Sequence, residues 1–419
     1  MPRISKILLI ALSVVLVLAV FLGARAKGVS AATEAQDSGA YPQINVYSEV
    51  LRHIQADYVV APNIPEVTDG ALRGLLESLD ADSSYLSPAD FAAYKAQETA
   101  DGSSKAQIGI VLSKRYGYAT VVSVVPNSPA DHANLNDGDI LEAVSGKDTR
   151  NISLAMLNTM LLGPPGSQVS LGVVRPSKDE PQILNLTRAV VAQPPVSDTL
   201  YENSSILYLK PVTLDREHVD AVEAKLKSAE KGGHKKVLLD LRDVASGDMN
   251  QAVRLANFFL NKGTIATLEG QTVAKVTYMA DATKAIDATT PVVVLVNHGT
   301  SGAGELVAGA LLDDKRAELV GDKTFGEGGE QKTFDLPDGA AVILTVAKYA
   351  SPAGKKFQDD AVTPGVLVAG VPPDEGDSND TPDLTKAASG VKAPVVPKPA
   401  VTVDEQLTKG LEILKAKAA

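Results

Sequence analysis

From Tyr41 onward the apolar positions fall at helical spacing. In INVYSEVLRHIQADYV, residues Ile44, Val46, Val50, Leu51, Ile54 and Tyr58 lie near one face. VTDGALRGLLESLD predicts a second helix. DADSSYLSPADFAAYKAQ predicts a polar turn and a third helix, with Ser87 as N-cap before Pro88. Between about 106 and 190 the pattern becomes β-rich. IGIVLS and YATVVSVVP predict strands and SPADHANL a short helix. NDGDILEAVSG predicts a turn and strand, SLAMLNTMLLG a helix stopped by Gly163, and SQVSLGVVRP the last main strand. From about 200 to 370, strands (SSILYLKP, HKKVLLDLR, PVVVLVN) alternate with amphipathic helical runs, and AELVGD, KTFDLP and AAVILTVAKYASP follow as strands. That alternation predicts an α/β core with a partly parallel sheet. VDEQLTKGLEILKAKAA closes the chain as an amphipathic helix.

Composition adds boundaries. Arg3 and Lys6 precede ILLIALSVVLVLAVFLGA, an uncharged apolar run, and ARA at Ala24–Ala26 has the form of a cleavage site. Residues 1–26 therefore read as a signal peptide or an uncleaved membrane anchor. Both place the rest of the chain outside the cytoplasm, in the periplasm or on the outer face of the membrane. The multi-domain α/β plan continues with a linker at 27–40, a helical N-terminal region at 41–100 and a β-rich module at 101–190. The α/β core then covers 191–370, a Pro-rich linker 371–400 and the terminal helix 401–419.

The net charge of -11 excludes nucleic acid as a partner, since phosphate binding needs clustered Lys and Arg. Membrane contact is expected only through the N-terminal segment. The chain has no cysteine, which removes thiol chemistry and Cys-based metal sites. Its five histidines are scattered without a paired spacing, so no metal or other cofactor is expected.

Candidate chemistry centres on NHGTSGAGELVAG, a Gly-rich turn from a buried strand into a helix. Such a turn can hold a nucleophile or gather N–H groups around an anion. Thr300 and Ser301 are its hydroxyls. The expected role of one or the other is to cap the helix that begins near Ala303. Glu305, Asp313 and Asp314 read as a solvated helix face.

In this order the segments resemble the carboxyl-terminal processing peptidases, serine peptidases with a Ser-Lys dyad and a PDZ domain. LDADSSYLSPADF resembles an LDPHSSYL-type segment. IGIVLS, VVPNSPADHANLNDGDILEAVSGKDT and LLGPPGSQVSLGVVR resemble the PDZ domain. VGDKTFGEGGEQ, DLPDGAAVILTVAKYASPAGKKFQ and VTPGV resemble the peptidase core. The resemblance implies a carboxylate-binding loop at Gln107, Ile108, Gly109 and Ile110, with Leu112, Leu135 and Met156 lining a side-chain pocket.

It also implies a nucleophile within N-x-G-S-A-S-A-S-E and a lysine within G-x-K-T-F-G-K-G. Those positions are Gly302 and Glu327 here, 25 residues apart as in the family. The frame is kept while both reactive side chains are absent. Gln331, the supporting glutamine, remains. The Gly-rich oxyanion loop D-L-R-G-N-P-G-G reads DLRDVASG, with Asp243 at its changed start and Gly247 surviving. A displaced dyad would have to use Ser301 or Thr300 with Lys323. The resemblance thus points to an exported peptidase homologue that has lost hydrolysis. It would bind peptide or protein C-termini or unfolded partners, an active peptidase relative among them. An active endopeptidase with a displaced dyad and a structural envelope protein are the alternatives. The oligomeric state is left open.

Overall fold

The computed structural model describes residues 41–99, 105–115, 117–175, 181–233, 235–286, 288–370 and 403–417. The expected signal or anchor at 1–26 and the linkers at 27–40 and 371–400 lie outside them. Among the described residues no helix is long and apolar enough to cross a membrane.

Two compact units divide at Gly70. The described part of the first contains α1 (Tyr41–Asp57) and the start of α2 (Ile64–Glu77). The rest of α2 belongs to the second unit, which also contains everything that follows.

In the second unit, β1 (Ser84–Leu86) precedes α3 (Pro88–Thr99). The β-rich module runs through β2 (Ile110–Arg115), β3 (Tyr118–Val124), α4 (Pro129–His132), β4 (Ile140–Val144), β5 (Lys147–Asp148), α5 (Leu154–Leu161), β6 (Gln168–Val174) and β7 (Gln182–Thr187). Its sheet order is β2-β3-β4-β6-β7, with β5 on β4. β7 was not read from the sequence. It alternates exposed Ile183 with buried Leu186 and completes the sheet against β6.

The core comprises β8 (Ser197–Tyr201), β9 (Ile206–Lys210), α6 (Arg216–Gly232), β10 (Lys236–Asp240), α7 (Met249–Phe259), β11 (Thr264–Glu269), β12 (Val276–Met279), β13 (Val292–Val296), α8 (Ala303–Asp313) and β14 (Ala317–Gly321). It continues with β15 (Gly329–Asp335), β16 (Ala341–Ala350), α9 (Phe357–Asp360) and β17 (Val366–Leu367), and α10 (Glu405–Ala416) ends the chain. One sheet has the order β17-β14-β13-β10-β9-β8. Its strands are parallel except for β8. β13 is VVVLV, buried throughout, as a strand covered on both faces must be. On one face Val292, Val294 and Val296 join Val222, Leu255 and Leu306 of α6, α7 and α8. On the other, Val293 and Leu295 meet Leu407, Leu411 and Leu414 of α10. The amphipathic terminal helix read from the sequence therefore has a specific seat.

A second sheet carries β1-β16-β11-β12, with β15 on β16. The segment expected as a polar turn contains β1 instead. Ser83 and Ser84 are fully buried, and Ser84–Leu86 pairs with Ala341–Ile343.

Three neighbouring parallel strands, β10, β13 and β14, end side by side. The loops at Leu241–Gly247, Asn297–Gly302 and Asp322–Gly328 leave their carboxyl ends, where open α/β sheets carry their sites. All three departures from the family pattern fall in these loops.

Candidate functional site

The junction after β13 is held by its own polar groups. The Thr300 hydroxyl donates to the Leu241 carbonyl at 2.8 Å and accepts from the Asn297 N–H at 3.1 Å. The Ser301 hydroxyl donates to Glu327 Oε2 at 2.9 Å. Neither hydroxyl caps α8, which corrects the sequence expectation. The N-cap is Gly302, whose N–H donates to Glu305 Oε2 at 3.0 Å.

Gly302 has φ 52 and ψ -106, a sharp turn that L side chains adopt only under strain. Space is not the constraint, since a Cβ there would meet only the Met249 methyl at 3.9 Å. Glycine occupies this turn without the strain that an L side chain would bear.

Glu305 is not part of a solvated face, as the sequence suggested. It is fully buried, while Asp314 at the far end of α8 is exposed. The Glu305 carboxylate accepts from the Gly302, Gly326 and Glu327 N–H groups at 3.0, 2.9 and 2.8 Å, and from the Thr324 hydroxyl. One side chain therefore fixes Gly302 and Glu327 relative to each other. Burial pushes its carboxyl up to about 7, against the pull of those hydrogen bonds.

Glu327 opens onto a cavity of about 500 Å³, walled in part by Asp82, Arg115, His298, Lys323 and Gln358. Burial raises the Glu327 carboxyl; the Ser113 and Ser301 hydroxyls and the Arg115 guanidinium oppose the rise. Asp82 is pushed up to about 7, first by burial and then by Glu327 and Asp80. Burial, helped by Arg115, lowers His298.

Lys323 is exposed at the rim of this cavity. Among the described hydrogen bonds, the Ser301 proton goes to Glu327 and the Thr300 proton to Leu241, neither to Lys323. Gln331 lies on β15 and donates to the Thr345 hydroxyl at 3.4 Å.

The changed loop after β10 is also occupied. Asp243 has φ 67, its N–H donates to Asn297 Oδ1 at 3.0 Å, and its carboxylate accepts from Asn297 Nδ2 at 2.7 Å. Lys210 Nζ lies 3.5 Å from the other carboxylate oxygen. An N–H that could face an oxyanion is thus used within the loop. Gly247 bridges to Leu214, behind this point.

In the β-rich module the four expected loop residues adjoin, but they do different things. Gln107 exchanges both backbone hydrogen bonds with Ala189, at 2.9 and 3.0 Å, so its N–H is committed. Ile108 is fully buried, and Ile110 begins β2 opposite Val124. Gly109 has φ 85, and a Cβ there would lie 2.2 Å from the Ser128 Cβ. Gly109→Ala is therefore expected to destabilise this module by about 2 kcal/mol or more. A shift in the module's thermal transition, with the rest unchanged, checks it. Leu112 and Leu135 are buried in the module's core. Met156 does not join them as expected; it packs on Leu86, Phe91, Ala341 and Ile343.

The module rests directly on the junction. Arg115 donates to the Phe325 carbonyl, and its guanidinium sits 4.1 Å above the Phe325 ring. A Cβ on Gly299 would lie 3.1 Å from the Val122 carbonyl oxygen of β3. Sequence reasoning misread Glu305 and missed Asp82, Ser113 and Arg115. Only Glu305 left a signal, as the third residue of a helix whose N-cap lacks a side chain.

Residues 205–368 match peptidase family S41, and residues 120–175 match a PDZ domain. The chain is 32% identical over 318 residues to carboxyl-terminal-processing peptidase 2, chloroplastic, of Arabidopsis thaliana, covering 72% of this chain and 60% of that protein. It is 28% identical to the carboxy-terminal-processing protease of Bartonella bacilliformis, over 80% of this chain and 77% of that one. With the chloroplastic C-terminal processing peptidase of Tetradesmus obliquus it shares 31% identity, over 71% and 67%. The solved photosystem II D1 C-terminal processing protease superposes with a TM-score of 0.64 at 28% identity, over 77% of this chain and 92% of that one.

Proposed function

The chain belongs to peptidase family S41, and from that premise we propose that it has lost peptide-bond hydrolysis and acts as an exported binder of polypeptide C-termini. One observation carries the reading. The two positions that Glu305 ties together, where the family has serine and lysine, are Gly302 and Glu327. Glycine has no group to attack a carbonyl. The serine that Glu327 does hold is fully buried and so withdrawn from a substrate carbonyl.

The PDZ domain supports the binding half. A terminal carboxylate is held by backbone N–H groups in such domains, and charge-assisted hydrogen bonds of that kind are strong. The full chain is expected to bind a peptide with a free C-terminus about tenfold more tightly than its amidated form, as judged by fluorescence anisotropy. Equal affinity for both would remove the support for C-terminal recognition.

A second reading has one observation of its own. The Ser301 hydroxyl lies 2.9 Å from Glu327 Oε2, within reach of a base. It would make the chain an endopeptidase with a displaced hydroxyl. Ser301 is fully buried, which weighs against it.

A further inference from the structure

The PDZ module buries two arginines, and they are held differently. Arg175 meets Asp139 at 3.4 Å. Arg188, which follows β7, is 9% exposed and makes no ion pair among the described residues. Its guanidinium donates instead to the Met160, Leu161 and Gln168 carbonyls at 2.7, 2.9 and 2.8 Å, and to the Ser167 hydroxyl at 3.1 Å. Met160 and Leu161 form the carboxyl end of α5. Burial lowers the Arg188 pKa, as expected for a cation without a counter-charge, yet an arginine stays ionised. Closing a helix does not demand this: α6 ends on the left-handed Gly233, whose N–H donates to the Ala229 and Glu230 carbonyls. A buried charge without an acid is unfavourable, so its presence asks for a use.

The cage is built onto the strand that enters the expected carboxylate loop. Gly163, just past α5, exchanges both backbone hydrogen bonds with Ala106 at 3.0 Å, and Ala189 does the same with Gln107. The Arg188 side chain runs along Gly163, where a Cβ would lie 3.1 Å from its Cδ. In the loop, the Gly109 N–H has no partner among the described hydrogen bonds, and β2 is an edge strand. Lys105, the nearest cation along the chain, turns to the Glu98 carbonyl at 3.0 Å.

We propose that Arg188 is the positioning residue for ligand charge in this module: it reverses the field at the end of α5, so that a peptide's terminal carboxylate is drawn to the loop. The inference rests on the reading of the module as a binder of C-termini, and it names the residue that makes the carboxylate count. The carbonyl end of a helix is partially negative and repels an anion. A guanidinium seated on those carbonyls changes the sign. Its charge is buried, so salt screens it less than a surface lysine. The loop N–H groups supply the contact and Arg188 supplies the potential. Its loss should therefore weaken binding of a free acid and spare an amide.

Fluorescence anisotropy on the full chain tests this, with a labelled peptide ending in valine in free-acid and amidated forms. Wild type is expected to prefer the free acid about tenfold. Ser167→Asp sets a carboxylate against the guanidinium and leaves the carbonyl cage in place. It should reduce the preference to about twofold or less, whereas the neutral Ser167→Asn keeps it. Arg188→Met should abolish the preference with the amidated peptide bound as in wild type. Ser167→Asp decides where Arg188→Met fails to fold. A preference still near tenfold in Ser167→Asp, or equal weakening of both peptides in Arg188→Met, would overturn the role of Arg188 and leave C-terminal recognition standing. Equal binding of the two forms by wild type would overturn C-terminal recognition itself, and this role with it.

Discussion

Glu305→Ala is expected to lower the stability of the core by about 4 kcal/mol, the largest effect of any single substitution near the site. The side chain is fully buried and accepts three backbone N–H groups and one hydroxyl. Removing it leaves those donors without acceptors where water does not reach, at about 1–3 kcal/mol for each buried group. Glu305→Gln should recover part of the loss, since one acceptor oxygen remains while the new amide N–H group opposes an existing donor. Urea unfolding followed by far-ultraviolet circular dichroism separates the two. A loss below about 1 kcal/mol in the alanine variant would mean that Glu305 does not hold the junction together.

Arg242→Met comes second, at about 3 kcal/mol. Arg242 donates to both oxygens of Asp240, at 2.9 Å to Oδ1 and 2.6 Å to Oδ2, and reaches Asp404 Oδ1 at 2.9 Å. Asp240 is fully buried, and its other donors are the Tyr208 hydroxyl at 2.9 Å and the Arg242 N–H at 3.0 Å. Loss of the guanidinium leaves a buried carboxylate without its counter-charge. It also removes the link to Asp404, the N-cap of α10. The expected result is a lower unfolding midpoint together with faster proteolysis at the start of α10. Asp404→Asn, which weakens only the second contact, should show the proteolysis with a much smaller shift in midpoint. Equal midpoints for wild type and Arg242→Met would contradict the role.

The parallel core was legible because β13 and its neighbours are continuous apolar runs that alternate with helical segments. The proposed dyad positions, Gly302 and Glu327, rest on sequence resemblance alone: the turn, the loop after β14 and their spacing match the resembled pattern although the side chains do not. β1 was not, because Ser83 and Ser84 read locally as a turn. Their burial comes from pairing with β16 at the far end of the core, which no local pattern carries. Glu305 was misread because a helix glutamate usually faces water, whereas this one sits at the third position under a glycine cap. Met156 was misplaced because α5 has two apolar sides. Leu154, Leu157 and Leu161 enter the PDZ core, and Met156 faces β1 and α3. Asp82 and Arg115 gain their importance only when the PDZ module is seated on the core.

The direct test of lost hydrolysis is labelling of the full chain with a fluorophosphonate probe, alongside an unfolded-protein cleavage assay. The proposed function predicts no label and no cleavage, with Ser301→Ala indistinguishable from the wild type in both. A label or cleavage that disappears in Ser301→Ala would contradict it and establish the displaced hydroxyl as a nucleophile.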